Sequence, residues 1–393
     1  MKLNMKLPQA AELILDRLNG LGYSAYVVGG SVRDFLIGRE LGDLDITTAA
    51  LPEETKAAFP EYRTVDTGIK HGTVSLIIDG VPYEVTTYRI DGDYKDNRHP
   101  ESVEFTDRLA DDLCRRDFTV NAMAYSPEDG LVDLYGGRDD IESRLIRAVG
   151  DPAVRFDEDA LRILRALRFS SVLDFDIEAA TANAAREKKS LLDGVSRERI
   201  YTELKKLVMG PRASSVLTEY ADVLSVALDG LEIHRLPSDD ALGGADYFTR
   251  LALIFLLNSD DPAMTAERVL TGLKTDKLTR VRVAAVLSAY GSASFENRRA
   301  ALTTLAKHGR ETTEGILALG LVTRRFGDSD RSALADAMES RVPYTISGLA
   351  IRGDDLVSMG IKGEQVGKAL NDLLFAVIEG KVKNEKSALI DYL

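Results

Sequence analysis

One short segment near the start of the chain, residues 26–45, most constrains what this protein can fold into. An apolar run leads into the adjacent glycines Gly29 and Gly30, a helix-like stretch follows, and the segment ends with the carboxylates Asp43 and Asp45. Strand side chains alternate with a period of two, so Asp43 and Asp45 are expected to leave the same face of a sheet. The segment predicts the order strand, turn, helix, strand.

These residue types also suit a bound phosphate and a metal ion. Adjacent glycines let a bulky ligand approach the main chain, free N–H groups at a helix start attract phosphate, and Arg33 adds a cation there. Two carboxylates on one face supply hard oxygen ligands for magnesium, and two such ions can activate a hydroxyl and neutralise pyrophosphate. Alone, a glycine pair is most often a turn and an Asp-x-Asp is most often solvated surface. The prediction therefore depends on their combination.

The order Gly-Gly-x-Val-Arg-Asp, then Gly-Asp-x-Asp, resembles the head of the polymerase-beta-like nucleotidyltransferases, and within them the tRNA nucleotidyltransferase and poly(A) polymerase family. The resemblance extends over nearly the full chain, and its strongest motifs lie before residue 210. It implies two magnesium ions on Asp43 and Asp45, and a nucleotide held by Gly29, Gly30 and Arg33.

Composition indicates a multidomain protein outside the membrane-spanning and secreted classes. The 393 residues exceed one typical domain, no apolar run is long enough for a transmembrane helix, and the first residues lack a secretory apolar core. The expected location is the cytoplasm. Cys114 is the only cysteine, which excludes an internal disulfide. The four scattered histidines, none followed by Asp, argue against a zinc site and against a histidine-aspartate phosphohydrolase module.

The charge distribution narrows where a polyanion can bind. The net charge of −13 is unfavourable for a nucleic-acid enzyme, because phosphate contacts need local Lys and Arg. Residues 144–210, however, hold 13 Lys or Arg against 11 Asp or Glu, so this stretch is net basic within an acidic chain. We expect the polyanion to bind there.

Runs of alternating or β-branched residues at 62–65, 72–78 and 81–88 predict strands, with an Asp-Gly hairpin turn between the last two. Glu84 lies inside the last run, where a carboxylate is costly to bury unless it is paired or bound to metal. We therefore expect Glu84 to be a third carboxylate of the metal site. The alternative is an outward-facing glutamate on an edge strand.

Residues 87–102 are polar, contain glycine and show no periodicity, which predicts a mobile loop. In the resembling family, a flexible loop at this place helps to switch the pocket between nucleotides, and members that add only CC lack it. Its presence here implies an enzyme that also adds A. An inert surface loop is the alternative.

A second motif of the family, Arg-Arg-Asp-x-x-x-Asn-Ala, spans residues 115–122. Asp117 and Asn121 are four residues apart and are expected on one face of a helix. By the family match, Arg116 contacts the nucleotide, and Asn121 is assigned to nucleotide binding with it. Residues 133–140 match the next family block, which is expected to be a hinge between the first two domains.

The stretch 155–169 predicts one continuous helix, and it contains Glu-Asp-x-x-Arg, the nucleotide-selecting motif of the family. On a helix, Asp159 and Arg162 lie on one face, where a carboxylate acceptor and a guanidinium donor can mimic a base-pairing edge. Arg165 and Arg168 follow at three-residue steps as weaker nucleotide-binding candidates, and Arg168 is expected roughly opposite Asp159. The triphosphate, tRNA or a structural ion pair are the expected partners of Arg168. A helix that only carries salt bridges is the alternative.

The remaining sequence predicts helices, and glycines and lysines at 360–370 are expected at a helix start that holds RNA phosphate. The expected fold class is α+β. An N-terminal mixed β-sheet nucleotidyltransferase head with helices precedes all-helical neck, body and tail domains. The expected boundaries are 1–145 for the catalytic head, 146–210 for the nucleotide-selecting neck, 211–330 for the body and 331–393 for the tRNA-binding tail.

The resemblance implies template-independent addition of C, C and A to the tRNA 3′ end, by an enzyme of the bacterial class II. The tRNA 3′-hydroxyl attacks the α-phosphate of CTP or ATP, with Mg²⁺ on Asp43 and Asp45 and with Glu84 assisting. The expected partners are tRNA, through its 3′ acceptor end and elbow, and the nucleotides CTP and ATP. Neither a membrane nor a protein partner is implied.

Three alternatives were weighed. Bacterial poly(A) polymerases carry a basic Gly-Arg-Arg or Gly-Arg-Lys run after the paired carboxylates, and this chain has Gly68-Ile69-Lys70 at that place. An enzyme that adds only A is harder to exclude, because its differences are subtle. A non-catalytic RNA-binding protein is expected to lack the paired carboxylates.

Overall fold

The computed structural model describes residues 5–92 and 103–393, and the chain divides into two compact units, Met1–Gly230 and Leu231–Leu393. All the strands of the described residues lie in the first unit, and every element of the fully described second unit is helical. The expected α+β class, with a mixed sheet first and helices after it, is confirmed. None of the described helices combines the length and the apolar character that crossing a bilayer requires.

Eleven strands lie within the described residues. In chain order they are β1 Ala25–Val28, β2 Asp45–Thr48, β3 Arg63–Gly68, β4 Thr73–Ile78, β5 Val81–Thr87, β6 Arg89–Asp91, β7 Val103–Phe105, β8 Met123–Ser126, β9 Gly130–Asp133, β10 Leu145–Ile146 and β11 Asp176–Ile177. The main sheet has the order β3-β4-β5-β2-β1-β8-β9, and β2 and β5 are its only parallel neighbours. This order places β2, β1 and β5, which carry or adjoin the predicted site residues, side by side.

The sheet forms where the sequence alternates. In β4, Val74, Leu76 and Ile78 are buried while the residues between them are partly exposed. Asp79 and Gly80 both have positive φ, 52° and 80°, as a two-residue hairpin turn requires. The predicted hairpin between β4 and β5 is confirmed.

The described residues of the first unit also form eleven α-helices. They are α1 Gln9–Gly20, α2 Gly30–Leu36, α3 Pro52–Ala58, α4 Leu109–Cys114, α5 Gly137–Glu142, α6 Pro152–Glu158, α7 Leu161–Leu173, α8 Ala179–Glu187, α9 Arg197–Val208, α10 Ala213–Glu219 and α11 Ala221–Ala227. The long helix α7 packs against α9, and Leu164 and Leu167 of α7 are buried.

The second unit contains eight α-helices. They are α12 Tyr247–Asn258, α13 Pro262–Gly272, α14 Lys277–Tyr290, α15 Arg298–Val322, α16 Asp328–Glu339, α17 Gly353–Ser358, α18 Glu364–Ile378 and α19 Lys386–Tyr392. The helix start expected near residues 360–370 is α18, which follows Gly363 with φ of 61°.

Four local predictions are wrong. Residues 155–169 form two helices, α6 and α7, rather than one, and residues 115–122 form no α-helix but end in a short 3-10 turn at Thr119–Asn121. The predicted loop at 87–102 includes a strand, since β6 pairs with β7. The rest of that loop, residues 93–102, lies outside the described residues. Two short strands, β10 and β11, also pair within the stretch expected to be all-helical.

Candidate active site

Two of the three predicted carboxylates lie side by side on adjacent strands. Asp45 is the first residue of β2 and is paired in register with Glu84 of β5, which runs parallel to it. Both side chains are exposed, as is Asp43 two residues earlier. Ser31 of α2 donates from Oγ to the main-chain oxygen of Asp43 at 2.9 Å, which ties the carboxylate segment to the helix after the glycine pair.

The charges around Asp45 fit a divalent cation. Although the Asp45 side chain is exposed in part, the protein around its carboxyl partly excludes water and raises its pKa; the negative charges of Glu84 and Asp43 raise it further, while Arg116 opposes them. Within residues 5–92 and 103–393, no three or more His, Cys, Asp or Glu side chains are gathered closely enough to hold a metal ion. Magnesium is usually bound by one or two carboxylates together with water and substrate phosphates. Asp43 and Asp45 therefore provide a suitable donor set for a metal that also contacts the nucleotide.

The glycine pair allows two arginines to approach the main chain. Gly29 has φ of 73° and ψ of −131°, a conformation that favours glycine, and it precedes the first residue of α2. A Cβ on Gly29 would lie 3.1 Å from Nη1 of Arg116, and one on Gly30 would lie 3.4 Å from Nη2 of Arg33. A side chain at Gly29 would therefore strain the turn and press on the guanidinium of Arg116, whereas one at Gly30 would meet Arg33 at an ordinary contact distance.

Asp112, a residue that the sequence analysis missed, holds Arg116 in place. Its carboxylate on α4 is fully buried and accepts hydrogen bonds from Nη2 of Arg116 at 3.1 Å, from Nη2 of Arg115 at 2.6 Å and from Oγ1 of Thr47 at 3.3 Å. Burial alone would raise the pKa of Asp112, but Arg115 and Arg116 lower it more, so the carboxyl stays ionised. The spacing of three and four residues between Asp112 and the arginines was the available sequence signal.

Asp117 and Asn121 meet through a hydrogen bond, although the helix predicted for them is absent. Phe118 between them is extended, with φ of −131° and ψ of 150°. Nδ2 of Asn121 donates to Oδ1 of Asp117 at 3.1 Å, and the main-chain N–H of Phe118 donates to the same oxygen at 2.8 Å. An aspartate that bonds the adjacent main chain competes with helix formation, which explains the difference.

Arg33 belongs to the same network. Its Nη1 donates to Oδ1 of Asn121 at 2.5 Å, and its Nε and Nη2 donate to Oδ1 of Asp34. Arg165 donates from Nε to Oδ2 of Asp117 at 2.8 Å. Burial raises the pKa of Asp117, but Arg165 and Asn121 outweigh it and bring the pKa to about 2. Arg33 and Arg165 thus share the buried Asp117–Asn121 pair.

The prediction that Asp159 and Arg162 lie on one face of a single helix is wrong. Asp159 follows the last residue of α6 with φ of −139° and ψ of 102°, and α7 begins at Leu161. Oδ1 of Asp159 accepts from the main-chain N–H of Leu161 at 3.1 Å, so the carboxylate caps the new helix and breaks the old one. The two residues stay close, because the N–H of Arg162 donates to the main-chain oxygen of Asp159 at 2.9 Å.

Each of these two side chains has an ion-pair partner that the sequence analysis did not identify. Nη2 of Arg199, on α9, donates to Oδ2 of Asp159 at 2.8 Å. Nη1 of Arg162 donates to Oε2 of Glu158 at 2.6 Å, and Glu158 also pairs with Arg155 at 2.6 Å. Two features of the sequence could have indicated these partners. They are Glu158, the first residue of Glu-Asp-x-x-Arg, and Arg199, the second Arg of the Arg-Glu-Arg run on α9.

Of the three partners expected for Arg168, the structure shows the ion pair. Nε of Arg168 donates to Oε2 of Glu203, a buried residue of α9. Nη1 of Arg165 lies 3.9 Å from the other oxygen of Glu203. The ion pairs described for Arg165 and Arg168 are therefore with carboxylates of their own unit.

Comparison with known proteins places these features in a family. Residues 25–147 match a model of the poly A polymerase head domain, residues 174–222 a model of an RNA-binding site of polymerase A, and residues 249–393 a model of tRNA nucleotidyltransferase domain 2. The chain is 37% identical to the CCA-adding enzyme of Levilactobacillus brevis over 98% of both chains. It is 38% identical to that of Geobacillus stearothermophilus over 99% of this chain and 97% of the relative.

Solved structures of CCA-adding enzymes share the fold of this chain. The CCA-adding enzyme of Bacillus stearothermophilus, crystallised with CTP, superposes with a TM-score of 0.79 at 32% identity, over 99% of this chain and 97% of that one. The Thermotoga maritima CCA-adding enzyme complexed with tRNA shares the fold, with a TM-score of 0.67 at 21% identity, over 99% of this chain and 95% of that one. Since the sequence identity extends along nearly the whole length of its relatives, the chain belongs to the family of CCA-adding enzymes.

Proposed function

We propose that this protein adds C, C and A to the 3′ end of tRNA without a nucleic-acid template, using CTP and ATP and releasing pyrophosphate. The observation that carries the proposal is the in-register pair of Asp45 and Glu84, next to the glycine pair and Arg116. The activity named for its relatives supports it. Because tRNA, CTP and ATP are found in the cytoplasm, the proposal also places the protein there.

Asp43 and Asp45 hold magnesium in this proposal, and Glu84 assists them. When bound, magnesium lowers the pKa of the tRNA 3′-hydroxyl and neutralises the leaving pyrophosphate. Glu84 keeps the face around Asp45 strongly negative, which would favour a cation held there by Asp43 and Asp45. The donor chemistry of the three exposed carboxylates supports this assignment.

In this proposal the nucleotide is held by Gly29, Gly30, Arg33, Arg116 and Asn121. The glycines leave the main chain open to the triphosphate. The Nε of Arg116 is buried and has no hydrogen-bond partner among the described residues, so it is a donor that a ligand oxygen can satisfy. Arg33 and Asn121, which bond each other, support the turn from beneath.

Asp159 and Arg162 read the base. The pairing edges of cytosine and adenine each present an amino donor beside a ring-nitrogen acceptor, which a carboxylate and a guanidinium complement. Arg199 donates to Oδ2 of Asp159 and the main-chain N–H of Leu161 to Oδ1, and the remaining lone pairs of the carboxylate are available to the amino group. The choice between C and A on one side and U and G on the other then depends on protein groups alone.

We further propose the head, neck, body and tail division at 1–145, 146–210, 211–330 and 331–393, with tRNA bound by the basic neck and by the start of α18. The net basic composition of residues 144–210 supports the first surface. The N–H groups at the start of the fifteen-residue helix α18 support the second.

A single assay tests the function. The protein is offered tRNA that lacks its 3′ CCA, first with CTP alone, then with ATP alone, then with both. We expect two C additions with CTP alone, and a terminal A only when ATP follows. Failure to incorporate C would leave an A-adding enzyme or a poly(A) polymerase as the better explanation, and long A tracts with ATP alone would favour the polymerase.

The base-reading role of Arg162 has its own test. Arg162→Ala is expected to reduce the ratio of kcat/KM for CTP over UTP about tenfold or more, because a charge-assisted hydrogen bond to the base is lost, and to change tRNA affinity less. Arg155→Ala is the matched control, since Arg155 pairs with the same carboxylate, Glu158. Equal losses of nucleotide choice and tRNA affinity in Arg162→Ala would refute the role.

A further inference from the structure

The ring of Phe169, on α7, lies among three arginines. The guanidinium carbons of Arg168, Arg33 and Arg165 are 3.7, 5.1 and 5.4 Å from its centroid. The side chain is 5% exposed and packs edge-on against Phe118, with centroids 5.7 Å apart. Each guanidinium within about 6 Å is attracted by the negative face of an aromatic ring, so one buried ring contacts three cations.

These arginines come from two different parts of the first unit. Arg33 is on α2, directly after the glycine pair, and its guanidinium lies beneath Gly30. Arg165 and Arg168 are on α7, the helix that begins next to Asp159 and contains Arg162. Phe169 therefore lies where the helix of the proposed base-reading residues meets the helix of the proposed phosphate loop.

Hydrogen bonds also connect two of these arginines to each other. Arg33 donates to Asn121, Asn121 donates to Asp117, and Asp117 accepts from Arg165. The two links made by Arg33 and Arg165 each require a particular orientation of a guanidinium plane. Since a planar guanidinium stacks readily on an aromatic ring, the ring of Phe169 supplies the surface that keeps Arg33 and Arg165 in that orientation.

The charge balance indicates a positioning function rather than phosphate binding. The three arginines are matched by three carboxylates: Asp34 pairs with Arg33, Asp117 with Arg165, and Glu203 with Arg168. Asp117 and Glu203 are each buried. Because its charges are paired, this cluster attracts a polyanion only weakly. It does resist a shift of α7 against α2, because such a shift would leave buried charges unpaired.

We propose that Phe169 is a positioning residue for nucleotide selection. By holding Arg33 and Arg165 it keeps α7, and with it Asp159 and Arg162, aligned with the carboxylates of the head. The proposal rests on the base-reading role given above. It implies that a change at Phe169 alters which nucleotide is accepted, although the side chain is buried and touches no substrate.

The test compares Phe169→Leu with Phe175→Leu. Phe175 is equally buried, at 5% exposure, but a single arginine, Arg144, lies near its ring at 6.0 Å. The measurements are kcat/KM for CTP and for UTP on tRNA lacking CCA, together with the melting temperature of each variant. We expect Phe169→Leu to lower the CTP-over-UTP ratio about tenfold, Phe175→Leu to change it less than about twofold, and Phe169→Tyr, which keeps the ring, to restore it.

Two results would overturn the proposal. In the first, Phe169→Leu lowers kcat/KM equally for CTP and UTP, in step with its melting temperature, and the ring is then packing only. In the second, Phe169→Leu has the same CTP-over-UTP ratio of kcat/KM as the unmodified protein. If the unmodified protein adds no nucleotide, the proposed function itself fails. The ratio of dissociation constants for CTP and UTP, measured without tRNA, then decides the positioning proposal separately.

Discussion

Replacing Asp45 by Asn is expected to lower the rate of nucleotide addition about a thousandfold, because, if Asp45 holds metal as proposed, a neutral amide in its place forfeits several kcal/mol of transition-state stabilisation. The substitution keeps the size of the side chain and its place opposite Glu84 at the start of β2. The rate is measured in a single turnover with CTP and excess enzyme. Affinity for tRNA, measured by equilibrium binding, is expected to change less than about threefold, since the contact removed is with the metal rather than the RNA.

Asp66→Asn serves as the control for Asp45→Asn. Asp66 is an exposed aspartate of the same sheet, paired with Lys56 at 2.9 Å, so it experiences the same substitution without a place in the site. Near-normal addition is expected from it. An Asp45→Asn protein that still adds nucleotides at the normal rate would refute the proposed role of Asp45. One that loses tRNA binding and keeps its metal binding would instead indicate an RNA-binding protein without this chemistry.

Replacing Asp112 by Asn is expected to be the most destabilising single change in the first unit. The fully buried carboxylate is the shared partner of Arg115 and Arg116, and removing one member of a buried ion pair costs about 3 to 5 kcal/mol. We expect the free energy of unfolding to fall by about that amount, as measured by urea denaturation. The KM for CTP is expected to rise as well, because Arg116 loses the group that holds it beside Gly29.

The pH dependence provides an internal check on Asp112. Its pKa in the folded protein is lowered by Arg115 and Arg116, so its contribution to stability is present above the unfolded pKa of about 3.9. That contribution disappears as the pH falls through the lower folded pKa. The stability difference between the unmodified protein and Asp112→Asn should therefore shrink in acid. Asp111→Asn, on the same helix but partly exposed and bonded to Thr106, should show a much smaller difference at every pH.

The parts of the site that could be predicted from sequence are those set by neighbouring residues. The glycine turn and the helix after it depend on local backbone preference. The prediction that Asp43 and Asp45 leave one face of the same strand is wrong, because β2 begins at Asp45 and Asp43 lies in the segment before it. Glu84 was also predictable, since a carboxylate inside a β-branched run needs a reason to be there. Its register opposite Asp45, however, follows from the strand order, which no local pattern specifies.

Two of the residues that sequence analysis missed, Arg199 and Glu203, act over long separations. Arg199 reaches Asp159 and Arg168 reaches Glu203 from different helices, and these pairs exist because α7 packs on α9. The break between α6 and α7 was missed for another reason. The apolar periodicity of residues 155–169 continues through Asp159, while the capping bond from Leu161 to its carboxylate competes with that periodicity and prevails.

The single parallel pairing in the main sheet has a consequence for the order in which the protein acquires its chemistry. Parallel neighbours cannot be joined by a tight turn, so the chain passes through β3 and β4 before β5 can align with β2. Asp45 and Glu84 become neighbours only when that meander is complete, and such non-local pairings form slowly. A nascent or partly unfolded head thus keeps its acidic residues apart, and the chemistry appears together with the finished sheet.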